Sequence, residues 1–166
     1  MSAVGSGGRA VGRWHVRTLL ASVGGLGFVP FMPGTAASAV ALAVGLAVRA
    51  LGSVGEIIIA GLCLASTALG FTLTRWAETE GGRSDPRWFV LDEAAGMWLA
   101  MLWATPGGPV GALAAFGLFR LLDIAKPPPV KQAERVGGPA GIMFDDLVAG
   151  AMANIMVRLI WLWVGR

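Results

Sequence analysis

The sequence has few charged residues, and this shortage indicates its class. Charged residues make up 14% of the 166 positions and hydrophobic residues 55%, whereas a typical soluble domain is about 25% charged. So few charges do not cover the surface of a soluble protein. The uncharged stretch from Ile57 to Thr74 also approaches the length that crosses a bilayer. We therefore expect an integral membrane domain, with a very apolar soluble helical protein as the alternative.

The chain also has a single cysteine, which excludes an internal disulfide. Cys63 lies inside an apolar run, so we interpret it as a small buried hydrophobic residue. Lys and Arg number 13 against 10 acidic residues, an excess that favours an anionic lipid surface. The basic residues form no clustered face with groove-reading or stacking elements, so no nucleic acid is expected as a partner.

The apolar residues predict an all-α fold, a small polytopic membrane helical bundle. Residues 1–12 are rich in Gly and Ser and are predicted to be disordered, and residues 13–166 to form one membrane domain. Residues 13–20 predict a short basic helix in the membrane interface. A secretory signal is the alternative, disfavoured by the glycines and prolines that follow. Four apolar segments are predicted to be helical: about Ala36–Val48, Ile57–Thr74, Ala94–Phe119 and Leu147–Val164.

The third apolar segment contains a break at Thr105–Pro109. Its Pro-Gly-Gly-Pro run removes hydrogen-bond donors and helix propensity, which predicts a turn between two short helices. A hairpin there returns Asp123 to the membrane face of Asp92, whereas a single crossing would separate them. Most Arg and Lys residues fall on the same face, which the positive-inside rule assigns to the cytoplasm.

Five of the ten acidic residues lie at the margins of the apolar segments, where a lone carboxylate is costly to desolvate. They are Asp92, Glu93, Asp123, Asp145 and Asp146. Arg120 and Lys126 lie near Asp123 in the sequence. Carboxylates mixed with these cations at a membrane edge predict a divalent metal and a phosphate. The alternatives are capping of a helix N-terminus by Asp92 and Glu93, and a simple Arg120–Asp123 ion pair.

Three further patterns extend this hypothesis. Thr35 or Ser38 can cap the helix that follows Pro33, and that helix start can also meet an anion. Lys126 precedes a proline, so we expect an extended backbone that aims its ammonium at the site. A stripe on one helical face, spaced by four residues, is interpreted as a wall of the site, with a polar contact between two helices as the alternative. The stripe consists of Asp146, Gly150 and Asn154.

These stretches together resemble the phosphatidylglycerophosphatase A family, membrane lipid phosphatases of bacteria. The resemblance covers Gly27 to Asn154 in the family's order. Ala37, in place of a usual Gly, and Pro139-Ala140 depart from the family pattern. The matching residues are Pro33, Gly34, Thr35; Asp92, Glu93, Gly96; Arg120, Asp123, Lys126, Pro127; Gly141, Ile142, Met143, Asp145, Asp146, Ala149, Gly150 and Asn154.

The resemblance implies Mg²⁺-dependent removal of the terminal phosphate from phosphatidylglycerol phosphate. This reaction belongs to phospholipid biosynthesis. The resemblance implies that it takes place at the cytoplasmic face of the bacterial inner membrane, where the protein contacts membrane lipids. Carboxylate oxygens suit Mg²⁺, and attack by a metal-activated water is favoured over an aspartyl-phosphate route, which stays open. The predicted catalytic residues are Asp92, Glu93, Asp123 and Asp146. The predicted metal ligands are these four and Asp145, and the predicted phosphate-binding residues are Arg120, Lys126, Thr35 and Ser38.

Other chemistries fit the sequence less well. The only histidine, His15, lies in the basic N-terminal stretch, which argues against a phosphatase with two catalytic histidines. Cys63 has no Arg at phosphatase-loop spacing, and the Asp-x-Asp signature is absent. Two alternatives from other classes are a small ion-coupled transporter and a non-enzymatic anionic-lipid-binding protein. A transporter needs polar groups near the midplane, where the chain offers only small residues such as Ser66 and Thr67, and a lipid binder would not need the acids.

Overall fold

The computed structural model describes residues 15–103 and 107–164, apart from the side chain of Pro139. The described residues form helices and no strand. The helices are α1 (Val16–Ala21), α2 (Pro33–Arg49), α3 (Ser53–Gly81), α4 (Leu91–Met101), α5 (Gly108–Ala125), α6 (Val130–Glu134) and α7 (Gly138–Val164), with a short 3-10 helix at Leu26–Phe28. The predicted all-α fold is therefore confirmed.

The short helix α4 lies at the centre of the bundle. It packs against α2, α3, α5 and α7, and all of its residues except Glu93 and Leu99 are buried. Its sequence allows this because small residues such as Ala95, Gly96 and Ala100 alternate with larger apolar ones. Its 11 residues, at about 1.5 Å each, span roughly half of a hydrocarbon core of about 30 Å. Polar residues at the two ends of α4 must therefore find partners inside the protein.

Helices α4 and α7 approach each other closely because two glycines face across their contact. A Cβ atom added to Gly150 would lie 2.2 Å from the carbonyl oxygen of Gly96. A Cβ added to Gly96 would lie 2.7 Å from the carbonyl oxygen of Asp146 and equally close to the Phe119 ring. Any larger residue would separate the two helices. Gly96 follows Asp92 by one turn, and Gly150 likewise follows Asp146, so the close approach also sets the distance between these carboxylates.

Within residues 15–103 and 107–164, three helical stretches are long and apolar enough to cross a membrane, judged by length and composition: Ser53–Gly81, Gly108–Ala125 and Ala140–Val164. The predicted segment Ala94–Phe119 is divided, since α4 ends at Met101 and α5 begins at Gly108. The predicted turn falls partly on residues 104–106, outside the described residues. Its expected consequence is present, because Asp92 and Asp123 line one cavity.

The structure tests only some of the predictions for the N-terminal residues. The predicted disorder of residues 1–12 falls outside the described residues. A helix does form in the predicted basic stretch, but it spans Val16–Ala21. Its Thr18 and Ala21 are buried, and the Ala21 carbonyl accepts a hydrogen bond from the Val90 amide at 3.0 Å. The helix thus contacts the segment that leads into α4, and its place in the interface stays a prediction.

Candidate metal and phosphate site

All five predicted carboxylates line one cavity of about 180 Å³, called here the acidic cavity. Asp92 and Glu93 lie in the first turn of α4, and Asp123 lies near the end of α5. Asp145 and Asp146 lie inside α7, which begins earlier than the last predicted apolar segment. Three helices that are distant in sequence thus bring their acidic residues to one place.

Three of these carboxylates are close enough to share one metal ion. Oxygens of Asp92, Glu93 and Asp146 lie within 4.8 Å of one another. Asp92 and Asp146 are only 5% and 4% exposed. Glu93 Oε2 and Asp146 Oδ1 are buried and accept no hydrogen bond within the described part of the chain. Hard oxygen donors without partners fit Mg²⁺, which binds carboxylates and keeps several waters.

The electrostatics of the α4 carboxyls also favour a bound cation. Burial raises the pKa of Asp92 well above its usual range, and the charges of Glu93 and Asp146 raise it further. Burial likewise raises the pKa of Glu93, although a hydrogen bond with Asp92 and the charge of Arg120 oppose the shift. Two ionised carboxylates at this depth are unfavourable without a positive charge between them. A bound divalent ion would supply that charge.

Asp123 and Asp145 line the same cavity, but each is paired with a cation. Asp123 Oδ2 lies 2.9 Å from Arg120 Nη1, the ion pair considered as the alternative for these two residues. Asp145 Oδ2 lies 2.7 Å from Lys126 Nζ. The structure therefore brings all five predicted ligands together, three as a cluster and two paired with the cations that the sequence predicts to bind phosphate.

Lys126 reaches the site by a different backbone conformation from the one expected. Its φ and ψ are 44° and 54°, the left-handed conformation that ends α5, so the predicted extended backbone is wrong. The α5 C-cap geometry overrides the usual preference before proline. Its Nζ also lies 2.7 Å from Glu134 Oε1. Burial alone would lower the pKa of Lys126, but the hydrogen bonds to Asp145 and Glu134 raise it, so the ammonium stays charged.

The start of α2 places a different residue at the site from those predicted. The helix begins at Pro33 with Met32 as N-cap and no side-chain cap, so the expected capping by Thr35 or Ser38 is wrong. Ser38 donates to the Gly34 carbonyl at 2.8 Å, and Thr35 Oγ1 is buried without a partner in the described residues. A Cβ added to Gly34 would lie 2.0 Å from Glu93 Oε1. Gly34 therefore lets the Glu93 carboxylate approach the start of α2.

The predicted stripe of Asp146, Gly150 and Asn154 serves two purposes. Asp146 belongs to the acidic cavity and Gly150 to the helix contact. Asn154 lies two turns further along α7, and its Nδ2 donates to the Ala100 and Leu102 carbonyls, both at 3.0 Å. For Asn154 the alternative was correct, since it joins α7 to the end of α4.

Two further acidic residues at the acidic cavity are absent from the predicted set of site residues. Asp85 lines the cavity just before α4, and Glu134 lines it from α6. Asp85 stands beside a proline a few residues before Asp92, a position that could have drawn attention to it. Nothing in the sequence pointed to Glu134, because the packing of α6 against α7 is visible only in the folded structure.

Comparison with known proteins identifies relatives across most of the chain. Residues 19–161 match the model of the family described as Phosphatidylglycerophosphatase A. A phosphatidylglycerophosphatase A of Escherichia coli is 32% identical over 84% of this chain and 78% of its own length. One of Haemophilus influenzae is 32% identical over 88% of this chain and 89% of its own length.

A third relative has a different name. A protein of Bacteroides thetaiotaomicron, provisionally named a phosphatidylinositol-3-phosphatase, is 34% identical over 81% of this chain and 87% of its own length. No solved structure matches the chain. All three names describe phosphatases of phospholipids with a phosphorylated headgroup, and they differ in the headgroup.

Proposed function

Since the chain belongs to the phosphatidylglycerophosphatase A family, we propose that it hydrolyses phosphatidylglycerol phosphate to phosphatidylglycerol and phosphate. The family resemblance predicted from the sequence is confirmed, and so is the enzyme class, a hydrolase of phosphoric monoesters. The relatives are bacterial, and three helices in the described part of the chain are long and apolar enough to span a membrane, which indicates a membrane protein. Phosphatases of this family act on a phospholipid. We place the reaction in phospholipid biosynthesis, at the cytoplasmic face of the inner membrane.

One observation carries the proposal of a metal-assisted phosphatase, the convergence of Asp92, Glu93 and Asp146. These three carboxylates would hold Mg²⁺, which matches the donor type and the buried oxygens without partners. When bound, Mg²⁺ would offset their charge and polarise the oxygens of a phosphate. Without a cation the same carboxylates would repel a phosphate. Ligation by Asp123 and Asp145 stays a prediction, and it competes with their ion pairs to Arg120 and Lys126.

The two cations are positioned to receive the phosphate. Lys126 lines the acidic cavity, and Arg120 is held beside it by Asp123. Arg120 Nε is buried and has no hydrogen-bond partner in the described part of the chain. We propose that both side chains stabilise the phosphoryl group as its charge redistributes during transfer. Thr35 and Ser38 are weaker candidates, because neither lines the acidic cavity and the Ser38 hydroxyl is already engaged.

We propose water as the nucleophile, and an aspartyl-phosphate is the alternative route. The Asp145 and Asp123 carboxylates that face the cavity are occupied by cations, and the other three form the proposed metal centre. A carboxylate nucleophile would have to leave these contacts. Trapping with hydroxylamine distinguishes the two routes, since only an acyl phosphate would be captured as a hydroxamate.

The substrate assignment is tested by phosphate release from pure lipids in neutral detergent micelles. We expect rapid release from phosphatidylglycerol phosphate and slower release from phosphatidylinositol 3-phosphate and phosphatidic acid. The Asp146→Asn protein, purified in parallel, controls for a contaminating phosphatase. Release from phosphatidylinositol 3-phosphate but not from phosphatidylglycerol phosphate would overturn the substrate assignment while leaving the reaction type intact.

A further inference from the structure

A second cavity, of about 400 Å³, lies beside the acidic cavity and is called here the arginine cavity. Arg87 and Arg120 line it, together with Met32 at the start of α2 and Ile124 at the end of α5. Asp85 and Glu93 line both cavities. The two cavities therefore adjoin at Glu93, and a ligand long enough to pass it would reach a space lined by two guanidinium groups.

The cations around the two cavities differ in whether they already form ion pairs with carboxylates. Arg120 is paired with Asp123, and Lys126 is shared between Glu134 and Asp145. Arg87 is exposed and has no carboxylate within ion-pair distance in the described residues. Arg87 is thus the cation best able to bind an additional anion without first breaking an internal contact.

Two exposed apolar side chains line the arginine cavity. Met32, at the start of α2, and Ile124, at the end of α5, are 59% and 64% exposed. Phe31 precedes Met32 and Leu121 lies one helical turn before Ile124, and they are 83% and 61% exposed. Large exposed apolar residues beside a charged cavity fit a molecule with an apolar portion and an anionic portion. A phospholipid held with its chains against these residues would place its headgroup toward Arg87.

We propose that the arginine cavity binds the internal phosphodiester of the lipid headgroup and that Arg87 is the residue that contacts it. This inference rests on the proposed function. Phosphatidylglycerol phosphate carries a terminal monoester, a glycerol linker, a phosphodiester and acyl chains, in that order. The acidic cavity, the shared Glu93 boundary, the arginine cavity and the exposed apolar residues beside it follow the same order. Phosphatidic acid has no phosphodiester, so it cannot fill both cavities, and Arg87 makes the enzyme selective for phosphorylated headgroups.

The test compares Arg87→Ala with Arg83→Ala on two substrates. Arg83 is also exposed and lines neither cavity, so its variant controls for the general loss of a positive charge near the membrane. We expect Arg87→Ala to lower kcat/KM for phosphatidylglycerol phosphate by about 10-fold to 100-fold, mainly through KM, as for a lost hydrogen bond to a charged group. Turnover of phosphatidic acid should change less than about twofold, and Arg87→Lys should recover part of the loss.

A second readout covers the case of negligible activity on phosphatidic acid. Phosphatidylglycerol retains the phosphodiester and lacks the monoester, so its inhibition of the reaction reports on the arginine cavity alone. Arg87→Ala should weaken that inhibition, and Arg83→Ala should not. Equal losses in both variants, equal losses on both substrates, or no loss in Arg87→Ala would overturn the inference. Failure of the unmodified protein to hydrolyse phosphatidylglycerol phosphate would instead overturn the proposed function.

Discussion

The two ends of α4 differ in how completely their polar groups are satisfied. At the C-terminal end, Asn154 donates to the Leu102 carbonyl. Arg158 donates to the Leu102 and Trp103 carbonyls at 3.0 and 2.7 Å, and Arg49 to the Met101 carbonyl. At the N-terminal end, Glu93 and Asp146 keep buried oxygens without partners among the described residues.

Both ends follow the helix dipole, which favours acidic groups at the N-terminus and basic groups at the C-terminus. Charge sign alone therefore does not distinguish a functional site from a structural contact. The two can be distinguished by whether their buried polar atoms have hydrogen-bond partners, since buried polar groups in a stable protein are almost always hydrogen-bonded. At the C-terminal end the Met101, Leu102 and Trp103 carbonyls all accept hydrogen bonds from side chains, and we interpret this end as serving the fold. At the N-terminal end the buried carboxylate oxygens have no such donors among the described residues, and we propose that this end serves function by holding a cation.

The largest expected effect is at the N-terminal end. Asp146→Asn keeps the shape of the side chain and removes its charge, so turnover should fall by about 1,000-fold or more if Asp146 holds the metal, a loss of roughly 4 kcal/mol in transition-state stabilisation. The fold and membrane insertion should persist, because the change relieves repulsion among buried acids. Phosphate release and thermal unfolding in detergent measure the two quantities. Near-normal turnover would show that the double Asp is structural and would remove the contrast between the two ends.

The next effect concerns Lys126, which we assign to phosphate and not to metal. Lys126→Ala should raise the activation free energy by about 2 to 4 kcal/mol, as for other groups that stabilise charge in a site that excludes water. The concentration of Mg²⁺ required for half-maximal activity should change little. Steady-state kinetics at several Mg²⁺ concentrations separate the two outcomes. A large shift in the Mg²⁺ requirement would instead make Lys126 a group that orients the metal ligands.

At the C-terminal end we expect a smaller effect, which lowers stability and leaves activity nearly unchanged. Asn154→Ala removes the side-chain donor to the Ala100 carbonyl and one of two donors to the Leu102 carbonyl, which should lower the free energy of unfolding by about 1 to 3 kcal/mol. Specific activity of the protein that remains folded should stay near that of the unmodified chain. Thermal unfolding and active-fraction kinetics provide the measurements. A loss of turnover as large as that of Asp146→Asn, with normal stability, would place Asn154 in the site after all.

The sidedness of the N-terminal end can be tested by labelling. Ser84 lines the acidic cavity, Gln132 lies on α6, and both are exposed. Cysteine at either position should be labelled by a membrane-impermeant reagent only from the cytoplasmic side. The Cys63→Ala background removes the native thiol. Labelling of the two positions from opposite sides would contradict the proposed cytoplasmic face.

Sequence reasoning located the N-terminal end of α4 better than the C-terminal end. Asp92, Glu93 and Asp146 were identifiable because charge beside long apolar runs is costly and therefore needs a purpose. The Pro-Gly-Gly-Pro break predicted that Asp123 would return to them. The contact of Asn154 with the end of α4 could not be predicted. Helical periodicity shows on which side of a helix a residue lies, but it does not show which element packs against that side.

The same limit applies to backbone conformation and to small elements. The left-handed conformation of Lys126 and its contact with Glu134 depend on how α5 ends and on where α6 packs. The central position of α4 also required the tertiary structure, since its composition resembles that of the helices around it.

We propose that the N-terminal end of α4 holds a divalent ion that is required for turnover. The most direct test measures phosphate release from phosphatidylglycerol phosphate across a series of buffered free Mg²⁺ concentrations, for the unmodified chain and for Asp146→Asn. We predict saturable activation of the unmodified chain, loss of its activity in excess chelator with recovery on adding Mg²⁺, and little recovery of the variant at any concentration. Undiminished turnover of the unmodified chain in excess chelator would show that no divalent ion at this end of α4 is needed for the reaction.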